Sequence, residues 1–526
     1  MKILVSDKLS DEGLALLQGT PDVEVAVRPG LSKEELRAII GDFDAIIIRS
    51  GTRLGVEEIK AAKKLRVITR AGVGVDNVDV KAASRQGILV MNTPTGNTIA
   101  TAELAITLML ALARRIPDAV ASVKAGKWDR KMSGVQLFGK TLGVIGLGRV
   151  GGHVARRAAA FGMKVMGFDP YLSKELAAQY PCQVTFDLES LLAQADFVTF
   201  HVPLTAETKH LLDAKAFARM KKGVRIINCA RGGIIDEHAL ADAIKAGIVA
   251  GAALDVYEEE PPKDRYLVDL PQVITTPHIG ASTEEAQRQV AVDAVQQTLD
   301  ALLRANYRYA VNSPAFAPED LEAVKPYLAL AEKMGALLLQ RSGRRMERIE
   351  MIYAGEVARK NVTPLTMSLL VGLLGRIVEE PVNLVNVRLV AEEKGVRVEE
   401  VKRPLAGSFS SLLSVRLEAE GREHTVEGTV FGPEEPRLVS VDGYPVEIAP
   451  SGHLLFILNE DRPGTIGRIG TLLGEADVNI AAMANGRKRA GDMALTVLSL
   501  DSDVPAAVLE KLRAIPAIRE ASVVVL

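Results

Sequence analysis

The chain has 526 residues, 48% of them hydrophobic and 25% charged, with a formal net charge of −2. That length exceeds what one hydrophobic core organises, so three or four domains are expected. The balanced charge supplies no basic field for nucleic acid. Two cysteines, Cys182 and Cys229, exclude a disulfide framework and show no metal-ligand spacing, which suits a reducing cytoplasm and no bound metal.

The first hundred residues alternate short apolar runs with amphipathic stretches. MKILVS, VEVAV, AIIIRS, LRVITRAG and ILVMNTP read as strands, and LSDEGLALLQG, SKEELRAIIG and GVEEIKAAKK as helices with Ser, Asp or Glu near their starts. MKILVSDKLS is a strand and turn, not the apolar core of a signal peptide. Alternating βα units imply a parallel sheet covered by helices. An apolar helix is predicted through TIATAELAITLMLALARRIP. A second α/β series begins at Lys140, with TLGVIGLG, KVMGFDP, FVTFHVP, VRIINCARGG, AALDVY and VITTPHIG as strands. The helix in GASTEEAQRQVAVDAVQQTLDALLRA carries the chain back to the first unit. NYRYAVNSPAFAPED reads as a linker. A third region opens with a helix and continues with VNVRLVAEE, SLLSVRLEAEG and HTVEGTVFG as strands, up to a bend at YPVEIAPSGH. A last β-α-β region ends in ASVVVL. Nothing resembles a run of about 18 apolar residues, so no membrane partner is expected.

Gly146, Gly148 and Gly151 form G-x-G-x-x-G between the strand LGVI and a helical pattern. The first glycine permits a tight turn, the second lets backbone approach a pyrophosphate, and the third brings helix onto sheet. The helix N-terminus favours the anion. Asp169 ends the next strand, 23 residues after Gly146. An acid there accepts both ribose hydroxyls and repels a 2′-phosphate, so NAD is expected over NADP.

Three later motifs point at chemistry. NCARGG places Arg231 after a strand, where a guanidinium can grip a carboxylate and polarise a carbonyl. ALDVYEEEPP supplies Asp255, Glu258, Glu259 and Glu260, and TTPHIGAST places His278 at a strand end. Taking hydride from a hydroxyl carbon needs a base for the hydroxyl proton, and a carboxylate beside an imidazole stabilises its charged form. Each of these three motifs alone reads more readily as solvated surface than as a site; their order in one chain gives them weight.

In that order GLGRVG, NCARGG, LDVYEEEPP and PHIGAST resemble the D-isomer-specific 2-hydroxyacid dehydrogenases. The resemblance implies Arg231, Glu260 and His278 as catalytic residues, with Glu260 taken because it directly precedes the proline. It implies cofactor contacts at Arg149, Val150, Asp169, Cys229, Ala230, Asp255, Gly280 and Ala281, with Val73 and Val202 where the family has threonines. RSGTRL, RAGVGVDNVD and MNTPTGN resemble members acting on 3-phosphoglycerate, at the head of L-serine synthesis. They imply substrate contacts at Arg49, Ser50, Val73, Gly74 and Asn97, and a basic residue near Trp128, Arg130 or Lys131, reaching a neighbouring subunit. The third region resembles an intervening domain. LLFILNEDRPGTIGRIGTLLGEADVNIAAM resembles an ACT domain, implying a homotetramer and L-serine as feedback ligand near Asp461 and Asn479, with Asn459 where some members carry Tyr.

The expected fold class is therefore α/β: two Rossmann-like or flavodoxin-like doubly wound parallel-sheet domains, then an α+β intervening domain and a C-terminal ferredoxin-like ACT domain. Expected boundaries are 1–98 with 283–308 for substrate, 99–282 for NAD, 315–450 and 452–526. Another D-2-hydroxyacid reductase and an NAD-sensing corepressor on the same fold remain open at this point.

Overall fold

A computed structural model of the chain describes residues 1–172, 177–304, 306–313, 318–343, 345–378, 381–432 and 434–526. The first sheet contains β1 (Lys2–Val5), β2 (Glu24–Val27), β3 (Ala45–Ile48), β4 (Val67–Arg70) and β5 (Leu89–Asn92). All pairs are parallel, in the order β2-β1-β3-β4-β5, which is flavodoxin-like. Every residue of β3 is buried, as a strand covered on both faces requires. Helices start where hydroxyls free them to start: Ser10 caps Asp11–Gln18, and Ser32 with Glu35 forms a capping box on Lys33–Ile39. One face is closed by the distant helix Glu284–Arg304, whose Val290, Ala291, Ala294 and Val295 share a core with Ile3, Val5 and Ile47. Each large apolar side chain so buried contributes roughly 1.5–3 kcal/mol.

The helix predicted through Pro117 is two helices. Thr98–Arg114 ends because Arg115 adopts a left-handed conformation at φ 50°, and Ile116–Lys124 begins with Pro117 in its first turn. The second sheet holds β6 (Thr141–Ile145), β7 (Lys164–Phe168), β8 (Gln183–Thr185), β9 (Phe197–Phe200), β10 (Val224–Asn228), β11 (Val249–Leu254) and β12 (Val273–Thr275). Its order, β12-β11-β10-β9-β6-β7-β8, is fully parallel and reverses between β6 and β9. That is the dinucleotide-binding order with one added edge strand, and ligands bind outside the carboxyl ends at such a reversal. β8, three residues long, is too short to show a period in sequence.

The third sheet runs β14-β13-β15-β16-β17-β18, from β13 (Met346–Gly355), β14 (Arg397–Arg403), β15 (Ser411–Ala419), β16 (Arg422–Phe431), β17 (Glu435–Val441) and β18 (Tyr444–Ile448). Only β13 and β14 pair in parallel. Two expectations are corrected here. VNVRLVAEE is not a strand: Val387–Glu393 is a helix with Asn386 at its N-cap, and Val387 and Ala391, four residues apart, point into the core. The alternation of Val385, Val387 and Leu389 mimics a strand, but the i, i+4 burial and the Asn383 amide held by Asn386 Oδ1 at 2.8 Å favour helix. The bend expected at YPVEIAPSGH is also mostly strand, since its first five residues form β18.

The last sheet is β20-β21-β19-β22, entirely antiparallel, from β19 (His453–Glu460), β20 (Ile480–Arg487), β21 (Met493–Leu500) and β22 (Ile518–Val525). Leu455, Ile457 and Leu498 pack with Ile469, Leu473, Val508 and Leu512 of helices Thr465–Gly474 and Ala506–Arg513. On the other face Leu454, Phe456, Leu495 and Val497 join the core of the third sheet. The last two sheets thus share one core. Among the described residues no helix is long and apolar enough to cross a membrane, and no three His, Cys, Asp or Glu side chains cluster as metal ligands.

Candidate active site

At the carboxyl end of β6 the chain turns at Gly146, whose φ of 90° disfavours any side chain. A Cβ at Gly151 would overlap the Gly146 carbonyl oxygen, so helix Arg149–Ala160 starts pressed onto that turn. Gly148, its N-cap, faces open space where its Cβ would stand. No side chain caps this helix, which leaves first-turn amides and the helix dipole for an anion. Asp169 follows β7; its Oδ2 accepts from the Leu147 amide at 3.0 Å and its Oδ1 from the Tyr171 amide at 3.0 Å. The carboxylate is therefore held beside the glycine turn. A phosphate seat and a fixed acid at this spacing fit NAD.

A cavity of about 350 Å³ opens at this crevice. Val73 and Asn97 line it from the first sheet's side. Arg149, Val150, Cys229, Ala230, Arg231, Asp255, His278, Gly280 and Ala281 line it from the second. Gly146, Gly148, Gly151 and Asp169 form the adjoining turn, Glu260 stands against His278, and Arg49, Ser50 and Gly74 sit on loops of the first sheet, all outside the cavity wall.

Asp255, fully buried after β11, carries the loop that presents the histidine. Its Oδ1 accepts from the Ile279 amide at 2.9 Å and the Thr276 hydroxyl at 2.6 Å, and its Oδ2 from the Gly280 amide at 2.8 Å. Between these anchors His278 is held at φ 55°, which a non-glycine residue adopts only when its surroundings impose it. His278 Nδ1 lies 2.6 Å from Glu260 Oε2, while Glu260 Oε1 accepts from the Tyr257 amide at 3.2 Å. Burial raises the Glu260 carboxyl, but the hydrogen bond and charge of His278, with a contribution from Arg231, hold it below its usual value. A carboxylate at Nδ1 assigns the proton to that nitrogen and leaves Nε2 as the acceptor. The Tyr257 hydroxyl donates to the carbonyls of Leu254 and Thr276 at 3.1 and 2.9 Å, and burial, followed by the Asp255 charge, pushes it up to about 12.

Arg231 follows β10. Asn228 holds its turn through the Arg231 carbonyl at 2.9 Å and the Ala230 amide at 3.0 Å. The Arg231 guanidinium donates to the Ala230 carbonyl at 2.6 Å, and its Nε lies 3.6 Å from Asp76. Two other titratable side chains that line the cavity are His201 and Cys229. Burial pushes His201 down to about 3, so its ring is neutral, and burial together with Asp255 pushes the Cys229 thiol up.

Across the crevice the Arg49 loop is gripped from both sides. Asp7 Oδ2 accepts from the Arg49 and Thr52 amides at 2.5 and 3.1 Å, and Asn77 Nδ2 donates to the Arg49 and Thr52 carbonyls at 2.6 Å each. Ser50 is exposed on that loop. Sequence reasoning missed Arg70, which stands at the carboxyl end of β4 inside RAGVGVDNVD. Burial and then the charges of Arg231 and Arg49 push its guanidinium below its usual value, against Asp76 and Asp7. The buried Nε atoms of Arg49 and Arg70 and the Asn97 Oδ1 make no hydrogen bond. A strand end in a parallel sheet was the signal available for Arg70.

Away from the crevice, helix Ile116–Lys124 buries none of its residues, and Trp128 is 81% exposed with Arg130 and Lys131 also exposed. In the last sheet the expected regulatory residues are internally engaged. Asp461 Oδ2 accepts from Arg487 at 2.9 Å and the Gly491 amide at 3.2 Å, and Asn479 donates to Asp501 at 2.6 Å. Asn459 is buried and accepts from the Thr496 hydroxyl at 2.9 Å.

Three family models match the chain. Residues 106–280 match the D-isomer specific 2-hydroxyacid dehydrogenase NAD binding domain, 323–442 the D-3-phosphoglycerate dehydrogenase intervening domain, and 453–517 the ACT domain. A D-3-phosphoglycerate dehydrogenase of Synechocystis is 45% identical over 99% of this chain and 94% of its own length. One from Methanocaldococcus jannaschii is 44% identical over 100% of this chain and 99% of its own. Among solved structures, a glyoxylate reductase from Paecilomyes thermophila aligns with a TM-score of 0.55 and 32% identity, covering 59% of this chain and 98% of that one. A D-lactate dehydrogenase of Aquifex aeolicus complexed with NAD and lactic acid aligns with a TM-score of 0.52 and 27% identity, covering 60% of this chain and 100% of that one.

Proposed function

The chain belongs to the D-3-phosphoglycerate dehydrogenases of the D-isomer specific 2-hydroxyacid dehydrogenase family, and from that membership we propose that it oxidises 3-phospho-D-glycerate to 3-phosphohydroxypyruvate with NAD, the first step of L-serine synthesis. The observation that carries the reading is the His278–Glu260 pair at 2.6 Å, with Arg231 and the glycine turn at the same crevice. Bound NAD supplies the acceptor for the hydrogen and electron pair leaving the hydroxyl carbon. Gly146 and Gly148 with the first-turn amides at Arg149 and Val150 would hold its pyrophosphate and Asp169 its ribose, while Gly151 lets the helix press onto the turn. Arg231 grips the substrate carboxylate in a planar fork and polarises the reacting oxygen. Arg49 and Arg70 receive the remaining anionic charge, and Asn97 Oδ1, which makes no hydrogen bond within the fold, accepts one from an N–H or O–H of the bound molecules. His278 Nε2 takes the hydroxyl proton, and Glu260 stabilises the resulting imidazolium. In the reverse direction the same nitrogen returns the proton.

Self-association as a homotetramer is supported by the outer helix Ile116–Lys124, where Ile116, Val120 and Val123 are exposed beside Trp128. Arg130 or Lys131 of a second copy then reaches the phosphate. L-serine is the feedback ligand of the ACT unit, where Asp461 and Asn479 exchange their internal partners for it. Two free cysteines are consistent with a cytoplasmic location. NADH formation from 3-phosphoglycerate, set against D-lactate, D-glycerate and D-2-hydroxyglutarate, tests the reading. Preference for 3-phosphoglycerate supports it, and turnover of another acid with none of 3-phosphoglycerate overturns it.

A further inference from the structure

Arg49 and Arg70 stand on the first-sheet side of the crevice, and the Arg231 guanidinium reaches toward them from the second, against the loop at Gly74. The charges of Arg231 and Arg49 bear on Arg70, and the buried Nε atoms of Arg49 and Arg70 have no acceptor. The carboxylate that answers Arg231 is Asp76, whose Oδ2 lies 3.6 Å from its Nε. The contact is lopsided: Arg231 is 29% exposed, while the Asp76 side chain is 79% exposed and nothing else is bonded to it among the described residues. Asp76 stands on the loop running from Gly72 to Asn77. That loop passes directly over Arg231, because a Cβ at Gly74 would overlap both the Arg231 guanidinium and the Asp76 carboxylate. The loop is anchored on either side of Asp76, by Asn92 donating to the Val73 carbonyl and by Asn77 donating to the Arg49 and Thr52 carbonyls.

We propose that Asp76 is a placeholder carboxylate: it lies at the Nε edge of Arg231, and an incoming substrate carboxylate displaces it. The inference rests on the assignment of Arg231 as the carboxylate receptor. A guanidinium binds a carboxylate bidentately along one edge, and Asp76 sits on an edge that includes Nε. Its long distance and high exposure make the contact weak enough to yield, since exposed ion pairs are weak. Its charge offsets part of the repulsion that Arg231 and Arg49 exert on Arg70. Asp76 thus sets the affinity for the substrate acid without taking part in bond making.

The test uses the full chain and Asp76→Asn, with Asp76→Glu as the conservative control. Removing one exposed ion pair is expected to lower KM for 3-phosphoglycerate by about three- to fivefold, the change landing in KM more than in kcat, and Asp76→Glu is expected to return KM toward wild type. Calorimetric titration of the NADH-loaded protein with D-glycerate, a carboxylate without phosphate, is expected to show the same tightening in Asp76→Asn. A KM and a D-glycerate affinity that stay the same or weaken would overturn the placeholder role and make Asp76 a support that holds Arg231 in place. If wild type fails to oxidise 3-phosphoglycerate, the functional reading falls by itself, and the D-glycerate titration still decides the role of Asp76.

Discussion

Replacing Asp255 with Asn should separate the loop that holds His278 from the chemistry His278 performs. The two side chains have nearly the same shape, but Asp255 accepts three hydrogen bonds and donates none. An amide offers one oxygen, so its NH2 must face the Gly280 amide or the Ile279 amide and Thr276 hydroxyl. A buried donor left without a partner costs about 1–3 kcal/mol, and loss of charge assistance in the remaining bonds adds about 1 kcal/mol. The sum is about 2–4 kcal/mol against the loop geometry at residues 276–280. At about 1.4 kcal/mol per factor of ten, kcat/KM falls by about 30-fold to 700-fold. The lower end is expected, because the loop is half open to water and His278 can regain solvent contacts. Steady-state kcat/KM with 3-phosphoglycerate, alongside a thermal melt confirming a folded chain, measures it. A folded Asp255→Asn with wild-type kcat/KM would refute the claim that these three bonds position the imidazole.

Two further outcomes follow from the same geometry. Asp169→Ala removes the acid fixed beside the glycine turn, and titration with both cofactors should show the preference for NAD over NADP relaxing. Glu260→Gln should depress kcat by weakening support for the imidazolium, and it should also change the acid limb of stability. The Glu260 carboxyl is held below its usual 4.5 in the fold. Its ion pair therefore stabilises the fold above that value, and this contribution is lost as pH falls through the lower folded value. Melting temperature measured downward from about pH 5 should fall for wild type in that acid window, and more shallowly for Glu260→Gln.

The parallel sheets were legible because their strands are nearly continuous apolar runs. Ala45–Ile48 and Phe197–Phe200 are buried at every residue, and such runs between capped amphipathic stretches have few other readings. The glycine turn was legible because three glycines, a strand, a helix and an acid recur at fixed spacing. The third region was harder. Val385, Val387 and Leu389 alternate as a strand would, and only the packed position of Ala391 beside Val387 shows the helix. The merging of the last two sheets into one core had no local signal either, because Phe456 and Val497 look like ordinary interior strand residues until their second neighbour is known. In the crevice, residues after strand ends stood out by motif; Arg70 carried the same strand-end signal, but its charge coupling to Arg231 and the approach of Asp76 to Arg231 join segments about 150 residues apart, which no window of sequence contains.

The central claim is that His278, braced by Glu260, accepts the hydroxyl proton while the dinucleotide site is built by other residues. Turnover and NAD binding measured together on His278→Ala test it most directly. The account predicts kcat lower by about 10² to 10⁴, with NAD still titrating close to wild type. Turnover equal to wild type, or loss of NAD binding in step with loss of activity, would contradict it.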